Sequence, residues 1–170
     1  MSKHTLLYIY MAVCLAALLV ACDRHTVYNH YEQTPVNGWE KNDTIVFMTE
    51  SVDQRGLYME EVGLRINGSY PFLGLNLIVE QMVLPSRESR SDTLNCQLID
   101  EQGNAKGRGI SHYQYLFHLT TLRLNRGDQL RIAIRHDMKR EILPGITDIG
   151  IRLNKASGQS AQPVSGTSLD

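Results

Sequence analysis

The chain has 170 residues, a formal net charge of −1, 42% apolar and 21% charged residues. This is the balance of an ordinary globular domain, and without a basic field it argues against nucleic acid as a partner. Three cysteines in this length are too few for a disulfide framework.

Met1–His4 carries Lys3 and the amino terminus, Leu6–Val20 is almost wholly apolar, and Ala21 sets a small residue before Cys22. A positive region, an apolar region and a small-residue cleavage site together make a secretory signal peptide. An uncleaved transmembrane helix is the competing reading. Leu6–Ala21 holds 16 residues, short of the ~20 a span needs, and no stop-transfer pattern follows. Leu19-Val20-Ala21-Cys22 resembles the bacterial lipobox. In lipobox proteins the chain is cut before the cysteine, the thiol receives a diacylglycerol and the new amino terminus is acylated. At ~0.8 kcal/mol per buried CH₂, one chain binds a bilayer marginally, whereas two or three anchor it stably. The resemblance implies cleavage between Ala21 and Cys22, lipid on Cys22 and membrane association. Cys14 would leave with the signal and Cys22 be spent on lipid, so Cys96 stands alone. Its setting, Thr93-Leu94-Asn95-Cys96-Gln97-Leu98, reads as a strand with the thiol buried as a small hydrophobe.

The expected plan is a signal peptide at 1–21, a lipid-anchored linker at 22–37, a β-sandwich domain at 38–154 and a disordered tail at 155–170. The linker is polar, with one extended piece, Val27–Glu32. From Trp39 onward, short alternating runs separated by turn signals predict an all-β domain. Ile45–Met48 is the first strong run. Val62, Leu64 and Ile66 then share a face opposite Arg65, and Asn67-Gly68 ends that strand with a tight-turn dipeptide. Leu75–Gln81 makes the next strand, stopped by Pro85, and Ser86–Ser91 reads as a charged loop. Thr93–Ile99 follows, turning at Asp100–Asn104. In Ile110–Leu119, Tyr113, Tyr115 and Phe117 share one parity, although periodicity alone leaves a helix open there. After Leu122, Leu124 and the turn Asn125–Asp128, Leu130, Ile132 and Ile134 alternate with Arg131 and Arg135. Ile149, Ile151 and Leu153 complete the last strand. Period two with one polar face predicts an antiparallel sandwich or jelly roll. The tail is rich in Ser, Gly, Gln and Pro and poor in large apolar groups, the composition of disorder.

No catalytic constellation emerges. His112 and His118 share a parity, but six extended residues span ~20 Å, too far for two ligands of one metal. His136-Asp137 reads as a surface pair. Gly107-Arg108-Gly109 lacks the following helix of a phosphate cradle. There is no Gly-x-Ser-x-Gly elbow or His-Glu-x-x-His, and the acids Glu60-Glu61, Glu80 and Asp92 are scattered. The expectation is a chain with no enzymatic activity, metal or cofactor. A glycan-binding lipoprotein is the alternative: Trp39, Tyr58, Tyr70, Tyr113 and Tyr115 are candidate stacking residues, although large aromatics more often pack cores.

The ordered set of segments resembles the gliding-motility lipoprotein family GldH of Bacteroidetes. Gly38-Trp39 leading to Asp43-Thr44-Ile45-Val46-Phe47 is similar to its opening. Tyr58–Arg65, Ser69-Tyr70-Pro71-Phe72, Asn76-Leu77 and Asp92-Thr93 are similar to its middle. Asp100–Asn104, Gly107-Arg108-Gly109 and Gly145–Ile151 are similar to its end. The resemblance implies a non-enzymatic envelope lipoprotein that works with other gliding-motility proteins, an apparatus associated with type IX secretion. Cys22 is the only functional residue it carries over. Surface-exposed lipoproteins of this phylum commonly carry an acidic pair soon after the lipid cysteine. Here Asp23-Arg24-His25 follows, which favours an outer-membrane position facing the periplasm. Asp43-Thr44-Ile45 and Asp92-Thr93-Leu94 resemble the phylum's O-glycosylation motif at Thr44 and Thr93. Three-residue patterns recur by chance, so both threonines are read first as ordinary residues.

Overall fold

The structure, a computed structural model, describes residues 25–156. The expected signal peptide, Cys22 and most of the expected tail lie outside the described residues. Ten strands run in chain order: β1 (Thr26–Gln33), β2 (Trp39–Glu40), β3 (Ile45–Met48), β4 (Gly56–Asn67), β5 (Gly74–Leu84), β6 (Glu88–Gln97), β7 (His112–Leu124), β8 (Gln129–His136), β9 (Ile142–Leu143) and β10 (Ile146–Lys155). Two four-stranded antiparallel sheets, β1-β10-β4-β7 and β3-β8-β5-β6, face each other, and β2 pairs with β9 at one end. Eight strands divided this way, with the chain crossing repeatedly between sheets, form a jelly-roll sandwich. The all-β expectation holds, and Tyr113–Leu119 lies within a strand.

The core is the alternation made solid. Val62, Leu64 and Ile66 of β4 and Ile149, Ile151 and Leu153 of β10 point inward from one sheet. Leu75, Leu77 and Val79 of β5 and Leu130, Ile132 and Ile134 of β8 meet them from the other, all buried. Each such side chain contributes about 1.5–3 kcal/mol by leaving water. Cys96 joins this core as expected. Its burial pushes the thiol up to about 12. In β7 the inward parity changes from odd at Tyr115 and Phe117 to even at Thr120, Leu122 and Leu124. The cause is an irregularity in the β4–β7 ladder: Glu60 pairs with Thr120 but Glu61 with His118, leaving Leu119 over.

Two boundaries differ from expectation. The segment Ser86–Ser91, read as a loop, mostly belongs to β6, where Val83 pairs with Glu88 and Glu80 with Ser91. An edge strand with one solvated face needs little apolar content, so its charged texture hides it. The extended piece placed in the linker is β1, hydrogen-bonded to β10 from Thr26↔Asn154 to Gln33↔Asp148. The folded body therefore includes β1, which the expected domain start at Gly38 left in the linker. Tyr31 fastens this strand. Its ring lies over Gly150 and Gly63, where an added Cβ would sit 2.5 Å and 2.3 Å from ring or hydroxyl atoms. Arg65 stacks on the ring at 4.3 Å, a cation–π contact that holds Tyr31 against the sheet.

Candidate functional site

The proposed stacking aromatics do not form a strip. Trp39 has no exposed surface, Tyr58, Tyr70 and Tyr115 are buried, and Tyr113 is half-buried against the core. The polar ends of the four buried rings are satisfied internally. Trp39 Nε1 donates to the Asp43 carbonyl at 2.9 Å, and the Tyr58, Tyr70 and Tyr115 hydroxyls donate to the carbonyls of Gln54, Gly74 and Leu98 at 2.6, 2.8 and 2.9 Å. These four rings pin loops to the core, where they are spent on packing rather than presented as a platform. Thr44, before β3, and Thr93, on β6, are both exposed, and Asp92 beside Thr93 is held by Arg90 at 2.7 Å.

Some of the scattered acids do converge. Glu60 shares the parity of Val62 and Leu64 and so points into the sandwich, fully buried, with both carboxyl oxygens unpartnered. Gln81 shares the parity of Leu77 and Val79 and enters from the facing sheet. Its Nε2 donates to Asp92 at 3.3 Å, while its Oε1 is unpartnered. Burial, then the nearby Asp92 charge, raises the Glu60 carboxyl to about 8, and Arg90 offsets this only in part. Glu60 is therefore neutral at pH 7, as a buried carboxyl without a donor must be. A buried carboxyl held neutral at pH 7 can serve as a general acid where substrate reaches it. Here no substrate could touch Glu60, because its carboxyl has no accessible surface. Glu61, one residue on, faces outward and is paired: Arg152 Nε and Asn154 Nδ2 donate to its Oε2 at 2.8 and 2.9 Å.

His136 is not the surface residue its neighbour Asp137 suggested. It continues the inward parity of Leu130, Ile132 and Ile134 and is completely buried. Its ring meets Trp39 edge-on at 5.3 Å. The Met138 backbone N–H donates to Nδ1 at 3.4 Å, which leaves Nε2–H to donate to the Trp39 carbonyl at 3.2 Å. Both nitrogens are thus used by the neutral ring. Burial, the leading cause, holds its acidity constant below the ordinary histidine value. His112 and His118 are exposed on β7. Among the described residues, no group of three or more His, Cys, Asp or Glu side chains is arranged to hold a metal.

An open cleft of about 700 Å³ runs beside β7, lined by Gln97, Lys106, Arg108, Gln114, Tyr115 and Arg152 among others. Arg108 pairs its backbone with Gln114 in both directions, at 3.0 and 2.9 Å, and Gly107 packs on the Tyr115 ring. Lys106 is engaged by Gln97 and Arg152 by Glu61. The cleft therefore offers charge and amide contacts, but no nucleophile paired with a base. Parity, carried through polar residues, would have found Glu60, Gln81 and His136 in the sequence. Nothing local signals the cleft.

Comparison with known proteins places this architecture. A family model described as GldH lipoprotein matches residues 26–153, close to the span of the folded body. The chain is 31% identical over 147 residues to the gliding motility lipoprotein GldH of Flavobacterium johnsoniae, covering 82% of this chain and 91% of that protein. It is 24% identical over 157 residues to the gliding motility lipoprotein GldH homolog of Christiangramia forsetii, covering 87% and 95%. Among solved structures, a family GH115 4-O-methyl-α-glucuronidase with specificity for decorated arabinogalactans aligns at a TM-score of 0.46 with 13% identity. That alignment covers 80% of this chain and 18% of the enzyme. The match along nearly the whole sandwich decides the matter: this chain belongs to the GldH lipoprotein family.

Proposed function

We propose that this protein is a lipid-anchored, non-enzymatic component of the cell envelope. In this reading it serves as a structural or interaction subunit of a gliding-motility-type complex associated with type IX secretion. The observation that carries the reading is the family match over residues 26–153, joined to the Leu19-Val20-Ala21-Cys22 sequence just upstream. Two relatives named as gliding motility lipoproteins support the setting. The signal would be removed after Ala21, Cys22 acylated, and the sandwich held at the outer membrane facing the periplasm, where it binds other envelope or gliding-motility proteins. The burial of Trp39, Tyr58, Tyr70 and Tyr115 takes four of the five candidate rings away from the glycan-stacking alternative, which keeps half-buried Tyr113.

Cys22→Ser tests the anchor. The variant should move from the membrane to the soluble fraction of lysed cells, and mass spectrometry of the wild-type N-terminus should find fatty chains on Cys22. Unchanged membrane association would remove the reading. Crosslinking in cells should capture envelope or membrane proteins, and capture of none would remove the interaction role.

A further inference from the structure

We infer that one end of the sandwich, formed by loops 49–55, 85–87 and 125–128, lies against the bilayer with phosphate-bearing lipid headgroups as its partner. The opposite end is then held away from the membrane for protein contact. The inference rests on the lipid-anchor reading and adds an orientation to it.

The first argument is length. Thr26 is already paired with Asn154, and the His25 carbonyl accepts from the Lys155 backbone N–H at 2.8 Å. Only Asp23 and Arg24 separate Cys22 from His25. Three residue steps reach ~10–11 Å even when fully extended. An acylated Cys22 sits at the membrane surface, so the end of the sandwich carrying Thr26 must sit there too.

The second argument is register, which identifies what shares that end. Asn154 pairs with Met59 and Gly56 with Leu124, placing the start of β4 and the close of β7 beside Thr26. Leu84 pairs with Gln129, and Val52 N–H donates to the Asp128 carbonyl at 2.9 Å, which adds the β3–β4, β5–β6 and β7–β8 connections. The far end holds the longer connections 34–44, 98–111 and 137–145. β4 has 12 residues, and at ~3.3 Å per residue its length sets the two ends roughly 35–40 Å apart.

The third argument is chemistry. Arg55, Arg87, Arg123 and Arg126 are exposed at the near end, and none takes part in an ion pair among the described residues. Glu50, Asp53, Glu88 and Asp128 are interspersed there, Asp128 accepting from the Asn125 backbone N–H at 2.8 Å, so the arginines act as individual donors and not as a one-sign field. Unpaired guanidinium groups within reach of a headgroup layer suit phosphate oxygens.

The test uses the acylated full-length protein in vesicles of phosphatidylethanolamine and phosphatidylglycerol that contain a nitroxide headgroup lipid. A fluorophore is placed on Ser51→Cys at the near end or Lys139→Cys at the far end, Cys96 being buried. Ser51 labels should be quenched several-fold more than Lys139 labels, and ten Gly/Ser residues inserted after Asp23 should reduce that ratio. Arg123→Gln with Arg126→Gln should lower quenching at Ser51. Equal quenching at both positions, or stronger quenching at Lys139, overturns the orientation. An unchanged signal in the double arginine variant overturns the role of the arginines. Protein that fails to float with the vesicles overturns the anchor reading and the orientation together, whereas flotation with uniform quenching removes the orientation alone.

Discussion

Replacing Glu60 by Gln keeps the shape of the side chain and removes its proton equilibrium. In the folded protein the carboxyl is raised to about 8, chiefly by burial, from an ordinary carboxyl value of about 4.5. A group whose folded value lies above its unfolded one favours folding most at low pH. That advantage is lost as pH rises from the unfolded value through the folded one, because the unfolded chain ionises first. The loss should run from about pH 4.5 to about 8 at ~1.4 kcal/mol per unit, and then level off. The full span corresponds to about 4–5 kcal/mol, an upper bound because local relaxation and water entry reduce the cost of a buried charge. Glu60→Gln should therefore match wild type near pH 4.5 and exceed its stability by a few kcal/mol at pH 8. Urea unfolding at half-unit pH intervals measures this, with buried Trp39 as the fluorescent probe. Subtracting the two curves cancels the other titrating groups. Parallel curves across the range, or a variant less stable than wild type at pH 8, would refute the assignment of a neutral, unpartnered Glu60.

Three further outcomes follow from the same geometry. His136 has a folded acidity constant held below the usual histidine value, so stability present above about pH 6.5 should fall as pH drops. His136→Gln should flatten that acid limb in urea titrations, and an unchanged limb would remove His136 as its source. Gly150→Ala should cost about 1–3 kcal/mol, because the new methyl meets the Tyr31 ring 2.5 Å away. In a Tyr31→Ala background the cost should largely vanish, so a double-mutant cycle with no coupling would count against the contact. The Cys96 thiol should resist aromatic disulfide reagents in the folded protein and react once urea unfolds it. Rapid native labelling would contradict its burial.

The sandwich was legible because period-two alternation is a local property. Val62-Leu64-Ile66 and Leu130-Ile132-Ile134 need only their own neighbours to declare a face. The polar interior was legible by the same rule, had the rule been followed past the apolar residues. Glu60, Gln81 and His136 keep the parity of their strands, but a charged or amide side chain at such a position reads as the strand's end. β1 is different. Its burial pattern mixes half-buried and exposed residues because it is an edge strand, and its pairing partner lies more than a hundred residues away in β10. The ring of Tyr31 needs two glycines, Gly63 and Gly150, brought side by side by the β4–β10 register. No window of sequence contains that arrangement. The cleft at Arg108 is likewise a product of a loop folding back on β7.

The placement of β1 bears on the proposed lipid anchor. A sixteen-residue leash from Cys22 to Asn37 would let a domain tumble freely above the membrane, its faces equally available. With β1 paired from Thr26, the proposed anchor at Cys22 is four residues in sequence from a strand that is edge-paired to β10 and clasped by Tyr31. In the proposed anchored protein, strain at Cys22 would pass into the β1-β10-β4-β7 sheet with little slack chain to absorb it. In an envelope complex that bears load, this makes the β1–β10 ladder the element that must hold. Its seven paired positions and the Arg65–Tyr31–Gly150 stack give it that capacity. Loosening the stack should therefore affect function before it affects folding. Tyr31→Ala should leave membrane association through Cys22 intact, yet weaken crosslinking to partners. If its crosslinking matches wild type, the sheet is not the path by which the anchor supports the complex.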